Sequence, residues 1–191
     1  MKINSLVLIT GNEGKALEFQ SLLNIPDLKF GWQKLPLTEI QSTQISEIGK
    51  AKTTVALFHP ELKGEWDAVL TDDTGLYLKA LGGLPGPLVK FFLEALGAEG
   101  IFNLTQQGGP EAKATCMLSL GLSKTKEIIQ FEGDVQGQLT SPQGSSGFGW
   151  DSIFQPDGLK KTYAELSLAE KNQISHRTIA TNALRDWIIS T

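Results

Sequence analysis

The sequence predicts an α/β fold, a central mixed sheet flanked by helices, on three observations. The first is an apolar run, residues 5–10, that passes through Gly11-Asn12-Glu13-Gly14 into Leu17, Phe19, Leu22 and Leu23 at helical spacing: strand, tight loop, helix. The second is another short apolar run at 67–71, a buried-strand candidate preceded by a helical stripe. The third is a pair of segments, 114–122 and 128–139, that alternate partially on either side of the polar stretch 123–126, as an antiparallel pair does. A chain of 191 residues fits one domain, with a second lobe expected over roughly 112–142.

In chain order, residues 28–32 are a second strand candidate. Ile45, Ile48, Ala51, Val55 and Phe58 mark a helix over 46–58, with Pro60 just past its end. The 67–71 strand runs into Asp72-Asp73-Thr74-Gly75, and Leu76 to Leu78 continue extended. Gly82-Gly83-Leu84-Pro85-Gly86-Pro87 is irregular, since it concentrates residues that break both regular structures. Residues 88–96 read as a helix. The Gly- and Ser-rich stretch 142–149 leads into 150–154, and Ile179, Ala183, Leu184, Trp187 and Ile188 give the last helix its apolar face.

Composition excludes several classes. It is 40% hydrophobic and 20% charged, the profile of a soluble globular protein. Seventeen basic against 21 acidic residues, net −4, disfavour a nucleic-acid partner that would need many phosphates neutralised. The single Cys116 excludes an internal disulfide framework and a multi-cysteine zinc site and suits a reducing compartment. The first 26 residues hold no apolar run long enough for a signal peptide or a membrane span, so a cytoplasmic protein with no membrane partner is expected.

Five constellations can carry chemistry. Thr10-Gly11-Asn12-Glu13-Gly14-Lys15 follows a strand and opens a helix, where free N–H groups suit a phosphate and Lys15 adds a cation. It lacks the Walker A spacing, and the plain alternative is a turn capped by Asn12. Asp72 and Asp73, at the end of a strand, suit Mg²⁺ and the activation of a water; otherwise they are a solvated Asx turn. Glu39 and Glu47 are each a further carboxylate for a metal, or simply solvated. Phe148-Gly149-Trp150-Asp151 can stack a planar base and bond its edge, or pack in the core. Ser175-His176-Arg177 opens the last helix, with Ser175 as N-cap and the two basic side chains at an exposed first turn. That placement asks for an anionic or acceptor-rich partner, or else is a surface pair.

Taken together, TGNEGK at 10–15, DDTG at 72–75, GGLPG at 82–86, FGWD at 148–151, FQPDG at 154–158, TYAEL at 162–166 and EKNQISHR at 170–177 resemble the inosine triphosphate pyrophosphatase (Ham1-like) family. The motifs run in the family's order from residue 10 to residue 177. The resemblance implies hydrolysis of ITP, dITP and XTP to the monophosphate and pyrophosphate with Mg²⁺, by a homodimer of elongated two-lobed subunits. It implies that Lys15 and the backbone of Thr10, Gly11 and Asn12 hold phosphates, with Thr74 beside them and Lys52 and Lys90 as further cations. Asp73 is then the metal-linked general base, and Glu39 the second metal carboxylate. Glu47 is its rival, because the spacing to Lys52 shifts among members. Phe148, Gly149, Trp150 and Asp151 line the base pocket, on which Lys171, His176 and Arg177 close. Pro87-Leu88-Val89-Lys90 lacks the Ser-Ala-Arg continuation of many bacterial members and resembles the eukaryotic form.

Hypoxanthine and xanthine present an acceptor at position 6 and a donor at N1, adenine the reverse, so donors at His176 and Arg177 fit the first and mismatch the second. Three other readings compete. A haloacid-dehalogenase-type phosphatase needs a D-x-D spacing that is absent here. A Maf-like pyrophosphatase would give the same products from other nucleotides. A non-catalytic nucleotide-binding module gains little from adjacent carboxylates facing phosphates.

Overall fold

The computed structural model describes residues 2–191. Its strands are β1 (Ser5–Ile9), β2 (Lys29–Gln33), β3 (Ala68–Leu78), β4 (Pro85–Gly86), β5 (Glu111–Leu122), β6 (Ile128–Leu139) and β7 (Phe154–Pro156). Its helices are α1 (Glu13–Leu22), α2 (Ile45–Leu57), α3 (Val89–Asn103), α4 (Leu168–Ile174) and α5 (His176–Ser190). The strands form one mixed seven-stranded sheet in the order β2-β1-β3-β5-β6-β7, with β4 paired to β3. The α/β fold and its mixed sheet are therefore as expected.

β1 is the parallel centre, pairing with β2 on one side and β3 on the other; its Val7-Leu8-Ile9 is buried, as a strand covered on both faces requires. One face packs Leu8, Leu70, Leu118 and Leu120 against Phe19 of α1 and Leu184 and Ile188 of α5. The other packs Val7, Ile9 and Val69 under Ala56 and Leu57 of α2. At the far end Leu76, Leu78, Ile101, Trp150, Phe154 and Tyr163 form another cluster.

The pairing that positions the site is the one that stops. β1 pairs with β3 from Leu6↔Ala68 to Ile9↔Thr71 and then ends, while β3 stays paired with β5 as far as Leu78↔Ala112. Asp72 and Asp73 thus do not end a strand or form a turn, as the sequence suggested. They lie inside β3, at the notch left where β1 turns away into α1. The ladder to β5 holds the backbone extended through Asp-Asp-Thr-Gly, whose composition alone reads as a turn.

Two helices bury faces that match the predicted apolar stripes only in part. Phe19 and Leu23 are buried as expected, but Leu17 is 55% exposed, and α1 also buries Ala16 and Glu18. In α5, Ile179 is 44% exposed and Ala183 is exposed too, while His176, Arg177, Ala180, Thr181, Leu184 and Ile188 are buried. Both helices face the sheet with a mix of apolar side chains and the charged groups they bury. Gly133 of β6 permits this for α5: a Cβ there would lie 2.2 Å from the His176 carbonyl oxygen. The helix expected to end at Leu96 breaks at Gly97 (φ 67°, ψ 177°) and resumes to Asn103. Of 150–154, Trp150 is core and β7 begins only at Phe154.

Candidate active site

A cavity of about 540 Å³ occupies the notch, at the carboxyl end of β1, where open α/β sheets bind ligands. Thr10, Gly11, Asn12, Lys15, Glu39, Lys52, Asp72, Thr74, Lys90, Phe148, Gly149, Trp150, Asp151, Lys171, His176 and Arg177 all line it. Asp73 lines a smaller hollow of about 50 Å³ that shares Glu39 and Thr74 with the main cavity. Glu47 lines neither; it accepts a hydrogen bond from the Ser42 hydroxyl at 2.7 Å on the exposed side of α2.

The loop after β1 is set by short-range bonds. Asn12 caps α1 by accepting from the Lys15 N–H at 3.2 Å, and the Asn12 N–H donates to Thr10 Oγ1 at 3.0 Å. Gly14 brings the two ends of the cavity together, since a Cβ there would meet the Phe148 ring at 2.9 Å. The Lys15 ammonium reaches back over the notch to the Asp72 carboxylate and carbonyl.

Side chains alternate along β3, so Asp72 faces α1 and α5 while Asp73 faces α2. Asp72 accepts from Arg177 Nε at 2.8 Å and from Lys15, and the buried Cys116 thiol lies 3.6 Å from its Oδ2. Burial alone would raise the Asp72 carboxyl, but the Arg177 guanidinium and the Lys15 ammonium overcome it and hold it far below the usual range. From Arg177 the chain of charges runs on to Glu18, from Glu18 to Lys171 at 3.0 Å, and from Lys171 to Asp151 at 2.8 Å. Lys15, Asp72, Arg177, Glu18, Lys171 and Asp151 alternate in sign, three of each, and join the loop after β1 to the aromatic end. Arg177 is therefore not an exposed first-turn residue: it is 2% exposed, and the acids on both sides offset its burial at the helix N-terminus.

The Asp73 side is incomplete by comparison. Its Oδ1 accepts from the Lys52 ammonium at 2.7 Å, while its Oδ2 is buried without a partner. Burial pushes the Asp73 carboxyl up, against the pull of Lys52. Lys52, from α2, also contacts Glu39 at 2.8 Å. Burial would lower the lysine, but Asp73 and Glu39 raise it and keep it charged.

At the other end of the cavity Trp150 is buried against Phe154 in an edge contact, centroids 5.6 Å apart, and lies 5.3 Å from the His176 ring. His176 stacks on Tyr163 at 17°, is 2% exposed and has no partner at Nδ1. Burial first, then the neighbouring Arg177 and Lys171 charges, hold its pKa well below the ordinary value, so the imidazole is neutral. Asp151 fixes the entry to this end by accepting from the Phe148 N–H at 2.9 Å.

Sequence reasoning missed Glu18, the carboxylate that ties Arg177 to Lys171. Its signal was present as Ala16 and Phe19 on either side of it, a narrower apolar face than the one traced through Leu17.

The comparisons agree over nearly the whole chain. The model of the Ham1 family matches residues 6–187. The inosine triphosphate pyrophosphatase of Schizosaccharomyces pombe is 38% identical over 189 residues, covering 98% of this chain and 97% of that one. Inosine triphosphate pyrophosphatase 2 of Trypanosoma cruzi is 42% identical over 185 residues, 95% and 91% of the two chains. Among solved structures, a HAM1 protein from Coxiella burnetii is similar along the full length of both chains, with TM-score 0.83 and 25% identity.

Proposed function

The chain belongs to the Ham1 family, and from that premise we propose that it hydrolyses ITP, dITP and XTP to the monophosphate and pyrophosphate. The observation that carries this reading is the contrast at β3: a saturated Asp72 beside an Asp73 with one free, buried oxygen. A carboxylate with a free lone pair and a raised pKa is suited to take a proton from an attacking water, as a general base requires. Lys15, Lys52 and Lys90, with the N–H of Gly11, supply the positive field for the triphosphate, with Asn12 holding the loop in place and Thr74 lying beside them.

Glu39 and Asp73 fit a hard cation. Both offer oxygen, Asp73 has an oxygen without a partner, and the described residues hold no cluster of three or more His, Cys, Asp or Glu that would form an all-protein cage. One or two carboxylates completed by substrate phosphates is the donor set Mg²⁺ favours. When bound there, Mg²⁺ would neutralise phosphate charge and acidify a water.

At the base end, Phe148, Gly149, Trp150 and Asp151 form the wall of the purine pocket, with Lys171 anchoring Asp151. Arg177 spends three of its N–H groups on Asp72 and Glu18, so the donors that remain are aimed by those acids. Neutral His176 with its open Nδ1 is the second group able to read the base edge. An acceptor at position 6 satisfies such donors, whereas adenine leaves them unpaired, which can discriminate by about 10⁴ or more.

The family resemblance further supports a homodimer in the cytoplasm, with residues 1–191 acting as one pyrophosphatase domain and the β5–β6 end as its second lobe. Among the described residues, no helix is long and apolar enough to cross a membrane.

The test is release of pyrophosphate from ITP, XTP, GTP, ATP, dTTP and UTP with Mg²⁺. Pyrophosphate from ITP and XTP far ahead of ATP is expected. Orthophosphate as the product, or turnover confined to dTTP and UTP, would overturn the reading; the latter is the outcome a Maf-like enzyme gives.

A further inference from the structure

Among the described residues, Lys52 is the one that touches both carboxylates of the proposed metal pair. Its ammonium lies 2.8 Å from Glu39 Oε1 and 2.7 Å from Asp73 Oδ1, with its side chain only 12% exposed. A positive charge between two oxygen donors occupies the kind of place a divalent cation takes. We propose that Lys52 is a resident surrogate cation: it holds Glu39 and Asp73 in the metal-free protein and must release them before they can bind a divalent ion. This rests on the reading of Glu39 and Asp73 as the metal pair.

Three features support a lysine that holds but can leave. The cradle is under-filled, since one ammonium faces two carboxylates and leaves Asp73 Oδ2 without a partner. The helix that carries it is anchored independently of it: the neighbouring Thr53 hydroxyl bonds Thr71 of β3 at 2.7 Å and reaches the Ser119 carbonyl of β5 at 3.3 Å. Lys52 can therefore move by its flexible four-carbon stem while α2 stays in place. Finally, the main cavity beside it, lined by Lys15 and Lys90 as well as Lys52, is where phosphates would offer the ammonium a new partner. Divalent ion and triphosphate should then bind with positive coupling, each raising the affinity of the other by the same factor.

The test is Mn²⁺ binding without nucleotide, read from the electron paramagnetic resonance of free Mn²⁺, on the native chain, Lys52→Met and Lys52→Gln, beside their melting temperatures. Both variants should bind at least about tenfold more tightly than the native chain, a gain of about 1.4 kcal/mol. Equal or weaker binding by folded Lys52 variants overturns the proposal. The underlying pair is tested separately: Asp73→Asn added to Lys52→Gln should abolish the tight site, and its survival there would overturn the Glu39–Asp73 reading instead. A measurement on the unaltered chain guards against a variant that does not fold. The ¹⁵N signal of the Lys52 ammonium should shift or vanish on Mg²⁺ addition, and an unchanged signal at saturating Mg²⁺ overturns the proposal.

Discussion

Asp72 and Asp73 are adjacent residues on one strand, both largely hidden from bulk water, and the fold treats them in opposite ways. Asp72 faces α1 and α5, where Lys15 and Arg177 occupy both of its oxygens, and its carboxyl is held far down. Asp73 faces α2, meets one lysine, keeps an unpartnered oxygen, and has its carboxyl pushed up. The difference teaches how a strand separates structure from chemistry. Alternation sends neighbours to opposite faces, and the number of cations waiting on each face decides which carboxylate is a fixed anchor and which retains a proton-accepting site.

The comparison breaks most directly at Asp73. Asp73→Asn should fold and lose about 10²- to 10⁴-fold in kcat from the base alone. A full rate in that variant, with a folded Asp72→Asn inactive, would exchange the two roles. On the other face, Arg177→Ala leaves Asp72 and Glu18 buried without their shared cation, and should destabilise the protein by about 3–5 kcal/mol. Its melting temperature should fall sharply, so selectivity measured in that variant reports the fold as well as the base pocket; an unchanged melting temperature would mean that the charge chain carries no stability.

The pH response sharpens the same contrast, because the two signs are opposite. Asp72, depressed in the fold, contributes stability that is present above its unfolded value near 3.8 and is lost as pH falls below it. His176, also depressed, begins that loss earlier, as pH falls below 6.5 and the unfolded chain gains a proton the fold refuses. Asp73, raised in the fold, opposes them: its ionisation becomes a cost to stability as pH rises above 3.8 through its folded value. Denaturation midpoints from pH 3 to 8 should therefore fall on the acid side, while kcat/KM shows an acid limb above pH 3.8 that Asp73→Asn removes. An acid limb unchanged in Asp73→Asn would assign that titration elsewhere.

Smaller effects are expected further from the pair. Lys15→Ala should raise KM for every triphosphate by roughly one to two powers of ten, the worth of a charged hydrogen bond, without favouring one base. An effect selective for ITP would place Lys15 at the wrong end of the cavity. Glu47→Gln should change stability by no more than about 0.5 kcal/mol and leave the metal requirement untouched, since Glu47 is exposed and accepts its hydrogen bond from Ser42 on the surface. A raised Mg²⁺ requirement in that variant would return Glu47 to the metal site.

Much of this was legible in the sequence. The strand, loop and helix over 5–23, the helix before Pro60 and the β5–β6 pair follow from apolar periodicity and turn residues, which act over a few positions. Most of the polar cavity-lining residues were legible too, those of 10–15, 72–75, 148–151 and 171–177 from local motifs and Glu39, Lys52 and Lys90 through the family resemblance, whereas the apolar Leu35, Leu37, Val89 and Leu93 were not. Three further things were not. The strand expected to end at Asp72-Asp73, or to turn there, runs on through Gly75, because β5 pairs with it from 40 to 46 positions along the chain. The buried faces of α1 and α5 were misread through Leu17, Ile179 and Ala183, since periodicity counts apolar side chains and these helices also bury Glu18, His176 and Arg177. Glu18 has a local sign of its burial, in Ala16 and Phe19, but none of its role, as its partners Lys171 and Arg177 lie 153 and 159 residues away.

What the sequence determined by itself is most of the elements, the order of the motifs and the chemistry they supply, since backbone propensity, capping and hydrophobic pattern are written within one or two turns of chain. What only the tertiary structure decided is which charge meets which. Whether a buried carboxylate is saturated or left with a free oxygen depends on side chains brought together from β3, α1, α2, α4 and α5, and the energy of a charge out of water is set by those few ångströms of surroundings.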